Sequence, residues 1–309
     1  MRRAFSISVA VVAAACITAG CGAGTDVTAN SAKPPKRDTV TISDSNLRDL
    51  TVPEEMEIEY AEHALVKECM ESKGFKYWMG TVVSVDARKA GRYVIDDVAW
   101  AKKYGYGRPF DEAAEKDRRE HPNVRYPNGL PKKDRIRYNV ALNGEFDDVL
   151  RVELPAGGTI GTPRTGCWAG AQTQLYGDLK SWSEAKKTVT GLTPLYVPDI
   201  LADERMKKAV GAWSHCMKKS GRPFASPDDL REKRIALTAG MNSPDAGKFE
   251  IDLAVTEATC AAQTSLGKTA RTLERAYLAP LLKKYGKENV TYQRMRLTAL
   301  SRAQDLDSE

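Results

Sequence analysis

Cys69-Met70-Glu71-Ser72-Lys73-Gly74 and Cys216-Met217-Lys218-Lys219-Ser220-Gly221 share the pattern C-M-x-x-x-G, and this pair of stretches decides how the chain is read. A glycine after a run of helix-forming residues is a stop signal, because it enters the left-handed region at little cost. A second similarity follows each stretch in the same order. Cys167 is followed by Ala171-Gln172-Thr173-Gln174-Leu175, and Cys260 by Ala262-Gln263-Thr264-Ser265-Leu266. An internal repeat in fixed order predicts two related halves, residues 51–190 and 191–309, each built on two cysteine-bearing helices. The expected class is mainly α.

Local signals around the repeat agree. Thr51-Val52-Pro53-Glu54 predicts a capping box with proline in the first turn. Met56, Tyr60, Ala64 and Cys69 then fall near one face. In the second half Met206, Val210, Trp213 and Met217 form a helical stripe. Ser243-Pro244 opens a long helix in which Phe249, Leu253 and Cys260 share a face, with a kink or break expected at Pro280. A last helix is expected over Thr291–Ala303.

Residues 81–163 interrupt the first half with an irregular insertion. Thr81–Val85 and Arg151–Leu154 read as short strands, a candidate β-hairpin. Ile95–Tyr104 and Asp134–Leu142 read as helices. Arg108-Pro109, His121-Pro122, Tyr126-Pro127-Asn128-Gly129 and Leu130-Pro131 mark turns. Loops held on a rigid scaffold often carry function, so a site is sought here first.

The N-terminus predicts export. Arg2 and Arg3 precede an apolar run ending near Ala19, shorter than the roughly 20 residues that a membrane span needs. Thr18-Ala19-Gly20-Cys21 resembles the lipobox of bacterial lipoproteins, with Thr18 where leucine is usual. The competing reading is an ordinary cleavage site with an incidental cysteine. Residues 1–20 are then a signal peptide, and Cys21 is the acylated residue that attaches the chain to the membrane. Residues 21–50, polar and without apolar periodicity, read as a disordered linker.

Cysteine usage fits an exported chain. Besides Cys16 and Cys21, four remain: Cys69, Cys167, Cys216 and Cys260. An even number in an oxidising compartment implies disulfides. A four-cysteine zinc site is the rival, but such sites draw ligands from close C-x-x-C pairs, and these four are scattered. Facing helices within each half favour Cys69–Cys167 and Cys216–Cys260, with the two cross-half arrangements left open. Loops of this size would each contribute roughly 4 to 5 kcal/mol in the chain-entropy model.

The lipobox, both C-M-x-x-x-G motifs, Tyr104-Gly105-Tyr106-Gly107, Ala141-Leu142-Asn143-Gly144, Gly166-Cys167-Trp168-Ala169 and Ala258-Thr259-Cys260-Ala261 together resemble a group of uncharacterised actinobacterial lipoproteins. Thr259 departs from the acidic residue expected before the last cysteine. The resemblance implies a lipid anchor on the extracytoplasmic face of the cell membrane. It implies no activity.

Catalytic candidates are weak. His63, His121 and His215 have no partner at metal-ligand spacing, and packing or helix-surface roles explain them. Asp96-Asp97, Asp147-Asp148 and Asp228-Asp229 read as solvated or capping pairs. Gly157-Gly158-Thr159-Ile160-Gly161 lacks the lysine of a phosphate loop and reads as a turn. Trp168 and Trp213 are expected against the disulfides, leaving Trp78, Trp100 and Trp182 as candidate ligand-binding residues. Lys and Arg number 47 against 41 Asp and Glu, interspersed, so no basic stripe suggests nucleic acid. No cofactor or metal is expected. The leading expectation is a non-catalytic binding protein whose partner is an envelope protein, a wall polymer or a small ligand. The alternative is a secreted hydrolase with its site in the 81–163 insertion.

Overall fold

A computed structural model describes residues 43–307. Its first-half helices are α1 (Val52–Ser72), α2 (Val98–Tyr104), α3 (Arg108–Glu120), α4 (Pro122–Asn128), α5 (Lys132–Asn143), α6 (Gly166–Tyr176) and α7 (Leu179–Thr190). Strands β1 (Val149–Glu153) and β2 (Thr159–Pro163) lie between α5 and α6. The chain continues through α8 (Thr193–Ala202), α9 (Glu204–Lys219), α10 (Pro227–Leu237), α11 (Ser243–Thr264), α12 (Leu266–Lys284) and α13 (Gly286–Asp307). Among the described residues the protein is mainly helical, with one small hairpin and two disulfides.

The repeated motif is a repeated helix stop. In α1 the Phe75 N–H donates to the Met70 carbonyl at 3.0 Å and the Gly74 N–H to Glu71 at 2.9 Å. In α9 Arg222 donates to Met217 at 2.9 Å and Gly221 to Lys218 at 3.1 Å. Gly74 and Gly221 have φ of +81° and +74°, the left-handed conformation this double bond needs. Met70 and Met217 are each fully buried. The cysteine one position earlier is turned about 100° away from that methionine and meets the partner helix. Cys69 bonds to Cys167 of α6, and Cys216 to Cys260 of α11.

The second similarity does not mark equivalent positions. Gln172 lies five residues after its cysteine and Gln263 only three, a helical rotation of about 200°. Accordingly Ala171 is buried and Ala262 exposed, and Leu175 belongs to α6 whereas Leu266 opens α12.

Two hydrophobic cores follow the two disulfides. Around Cys167 pack Ile58, Val66 and Met70 of α1, Tyr138 of α5, Leu175 of α6, and Ala299, Leu300 and Ala303 of α13. Around Cys260 pack Trp213 and Met217 of α9, Leu253 and Ala258 of α11, Leu266 and Leu273 of α12, and Leu230 of α10. Val94, Ile95 and Trp100, from the 81–163 segment, join this second core, and α13 from the chain's end joins the first.

Several local expectations are corrected. Ile58, Ala61, Leu65 and Val66 form the buried face of α1, while Tyr60 and Ala64 are exposed. The hairpin pairs Val152 with Ile160 across Gly157 and Gly158, both at positive φ, and Thr81–Val85 forms no strand. Pro109 and Pro122 start α3 and α4, where a missing N–H costs nothing. The long C-terminal run breaks at Ser265, φ +56°, and Pro280 lies inside α12. The last helix is longer at both ends than expected. Of the stretch read as linker, Asp44–Asn46 forms one 3-10 turn, Arg48 pairs with Glu54, and Leu50 packs on the first core. Residues 1–42, Cys21 among them, lie outside the described residues.

Ala299 and Ala303 let α13 approach α1 and α6 closely, and both are fully buried. Ala299→Leu is expected to destabilise the protein by about 1–3 kcal/mol through overpacking. Ala262→Leu on the exposed side of α11 should change stability by no more than about 0.5 kcal/mol. Urea unfolding of both variants measures the contrast; equal effects would contradict the packing described.

Candidate functional site

Three segments far apart in sequence enclose a groove of about 600 Å³. One wall is the 91–94 segment, another is α8 and the third is α12. The size suits a small-molecule ligand. Tyr196, Val197 and Ile200 project from α8, because they recur at one helical face. Gly267, Ala270, Arg271 and Glu274 recur likewise on α12, and the small side chain of Ala270 leaves space in front of it. Met206, at the start of α9, is 2% exposed and lines the groove beneath them.

The polar groups of the groove are largely engaged with one another. The Tyr196 hydroxyl donates to Glu274 Oε1 at 3.1 Å. Arg271 lies 2.7 Å from Asp96 Oδ2. Asp96 rests against the first turn of α12 so closely that a Cβ on Gly267 would fall 2.1 Å from its carboxylate. Glycine is required there by space, and the carboxylate meets the positive end of the helix. Arg92 lines the groove, is exposed, and has no ion-pair partner among the described residues.

The 91–96 wall is pinned from behind. Arg231 of α10 donates to the carbonyls of Arg92 and Tyr93, and its guanidinium lies 5.5 Å from the Tyr93 ring centroid. Glu257 of α11 is 1% exposed, and its Oε1 accepts from the Ile95 N–H at 3.4 Å. Glu257 Oε2 and the buried Tyr106 hydroxyl lack a partner of good hydrogen-bond geometry, although the two groups are near enough to interact. Arg234 lies 4.6 Å from the Tyr106 ring centroid and is 3.9 Å from Glu250, which also pairs with Arg108 at 2.8 Å. Burial pushes the Glu257 carboxyl up to about 7, against the pull of Arg231 and Arg234.

The residues singled out in the sequence fall elsewhere. Trp78 is 37% exposed, edge-on to Tyr126, with Asn123 clasping its backbone N–H and carbonyl. Trp100 is buried, and its indole N–H donates to the Asp86 carbonyl. Trp182 is buried and stacks on Tyr176 with centroids 3.6 Å apart. Beside it burial raises the Glu62 carboxyl and lowers the Lys186 ammonium. None of these three lines the groove. Trp213 is fully buried in the core of the second disulfide, and Trp168 lies edge-on to His63. His121 caps α4, its Nδ1 accepting from Asn123 N–H. Asp97 caps α2, Asp148 pairs with Arg164, and Asp229 accepts from Ala225 N–H. Among the described residues no group of three or more His, Cys, Asp or Glu is placed to hold a metal, and no helix is long and apolar enough to cross a membrane.

No family model matches the chain, and neither a curated protein nor a solved structure matches it.

Glu257 sets a pH dependence of stability. Its folded value lies above the ordinary 4.5, so between about 4.5 and 7 the folded state holds a proton that the unfolded state has lost. Stability therefore falls as pH rises through that window and levels off above it. The contribution is about 3 kcal/mol at most. Glu257→Gln is expected to be more stable than wild type at pH 8 by about 1–3 kcal/mol, with the difference shrinking toward pH 5. Urea titrations at the two pH values test this; a difference independent of pH would refute the assignment.

Proposed function

We propose that the chain is an exported lipoprotein, attached to the membrane through Cys21, whose extracytoplasmic domain binds a small ligand with a substantial apolar part. The anchor rests on Thr18-Ala19-Gly20-Cys21 at the end of a short apolar run, and on the resemblance to actinobacterial lipoproteins. The groove carries the binding reading. It is half-enclosed, about 600 Å³, and walled by Val94, Val197, Ile200, Met206 and Ala270. Binding rather than turnover is supported by what its polar groups do: Tyr196 holds Glu274 and Asp96 holds Arg271, so each stabilises the walls. Two disulfides suit the oxidising side of a membrane.

Native protein extracted from membranes should yield an N-terminal peptide beginning at a diacylated Cys21, and Cys21→Ala should abolish that modification. An unmodified residue 21 in mature protein would remove the anchor from the proposal. For the groove, Ala270→Trp fills the space; because Ala270 borders the second core, circular dichroism and urea unfolding are used to establish that the variant folds as wild type does. Organic extracts of wild-type protein purified from its own envelope should contain a low-molecular-mass compound at near-stoichiometric yield, and extracts of Ala270→Trp should lack it. Equal recovery from both would place binding outside the groove.

A further inference from the structure

Building on the groove as a binding site, we infer that its ligand is a single-chain amphiphile with an aliphatic tail and one anionic head group. Its chemistry follows from which groups remain to be satisfied. The walls are mostly aliphatic, with Val94, Ile200 and Met206 buried at their base. Along α12 the lining runs from Gly267 to Glu274, about 10 Å at the helical rise. A planar polar ligand would need several convergent donors and acceptors, since a buried polar group without a partner is costly. This groove offers few, because the Tyr196 hydroxyl is engaged by Glu274 and Arg271 by Asp96. A flexible alkyl chain asks for none.

The head group is set by the remaining charge. Arg92 is the lining residue whose guanidinium has no ion pair among the described residues, and it is exposed at the edge of the groove. Its backbone is held, since its carbonyl accepts from Arg231, so the side chain is displayed from a fixed point. Arg271, 53% exposed, is paired with Asp96, and Glu274 is held by the Tyr196 hydroxyl of α8, so the anionic head is assigned to the Arg92 end of the groove. A carboxylate or a phosphate monoester suits a guanidinium fork. A quaternary ammonium at that end would instead meet Arg92, which has no carboxylate paired with it among the described residues.

Isothermal titration of the purified Cys21→Ala protein tests the inference without an acyl group of its own to compete. The probes are octanoate, decanoate and dodecanoate below their micelle concentrations, together with dodecyl phosphate, dodecanol and dodecyltrimethylammonium. Each added pair of methylenes should tighten binding up to roughly tenfold, as burial of alkyl surface requires. Dodecanoate or dodecyl phosphate should bind at least about fivefold more tightly than dodecanol, and the trimethylammonium compound most weakly. The order of the two anions identifies the head. Arg92→Ala should weaken the two anionic probes at least about fivefold relative to dodecanol, and Ala270→Trp should abolish binding of all of them.

Equal affinity for the anionic, neutral and cationic heads would overturn the head-group inference, and no dependence on chain length would overturn the tail. Should no alkyl compound bind, the inference fails whatever the extraction experiment shows. A compound recovered from wild type and lost in Ala270→Trp would then leave the groove standing as a site for a different ligand.

Discussion

The bond between Cys216 and Cys260 joins the last turn of α9 to the C-terminal part of α11, and the groove depends on it. At the other end of α9, Met206 lines the groove. One turn before Cys260, Glu257 reaches the Ile95 amide and so supports the 91–96 wall. A covalent tie between two helices that touch different walls fixes their separation, which neither helix could do alone. In the chain-entropy model the loop it closes is worth roughly 4 kcal/mol, a large part of a domain's usual net stability. The first disulfide plays the same part for α1 and α6, whose junction is then covered by α13.

Both bonds stand next to the same helix stop, and this explains why the motif was legible in the sequence. A left-handed glycine, a buried methionine five residues before the bonded N–H, and a cysteine on the adjoining face are all local requirements. Helix starts and the stripe Met206–Val210–Trp213–Met217 belong to the same level, whereas the pairing of the four cysteines is long-range, and the sequence favours it over two alternatives without deciding it. What stayed hidden was tertiary. Thr159–Pro163 has β-branched Thr159, Ile160 and Thr162, but Gly157-Gly158 before it and Gly161 and Pro163 within it make it read as a turn, and it becomes β2 through its pairing with β1. Met56, Tyr60 and Ala64 share a face as regularly as Ile58, Ala61 and Leu65, but periodicity does not say which of two faces meets the core. The break at Ser265 needs a positive φ at a non-glycine residue, which no sequence signal marks.

The groove was hidden for a further reason: its lining comes from three segments with no motif in any of them. Trp100 and Trp182 drew notice as large aromatics, and both were absorbed into packing, one against Asp86 and the other against Tyr176. Gly267 and Ala270 drew none, since small residues in a helix carry little signal. In retrospect the informative pattern is a pair of small residues on α12 followed by Arg271 and Glu274, each matched to a polar group elsewhere in the fold.

Small residues do opposite things on α12 and α13. Ala299 and Ala303 are fully buried, because α1 and α6 close upon them. Gly267 and Ala270 face a wall that is held off. Asp96 occupies the space beside Gly267, and Arg231 and Glu257 hold the 91–95 backbone from the far side. The Arg271–Asp96 pair is half-exposed and adds at most about 1 kcal/mol to stability. Its consequence is geometric: with Asp96 fixed at the start of α12, the wall does not collapse onto Ala270. The groove is thus an outcome of polar contacts on both sides of one short segment, and the apolar surface it leaves uncovered is the surface that a ligand would bury.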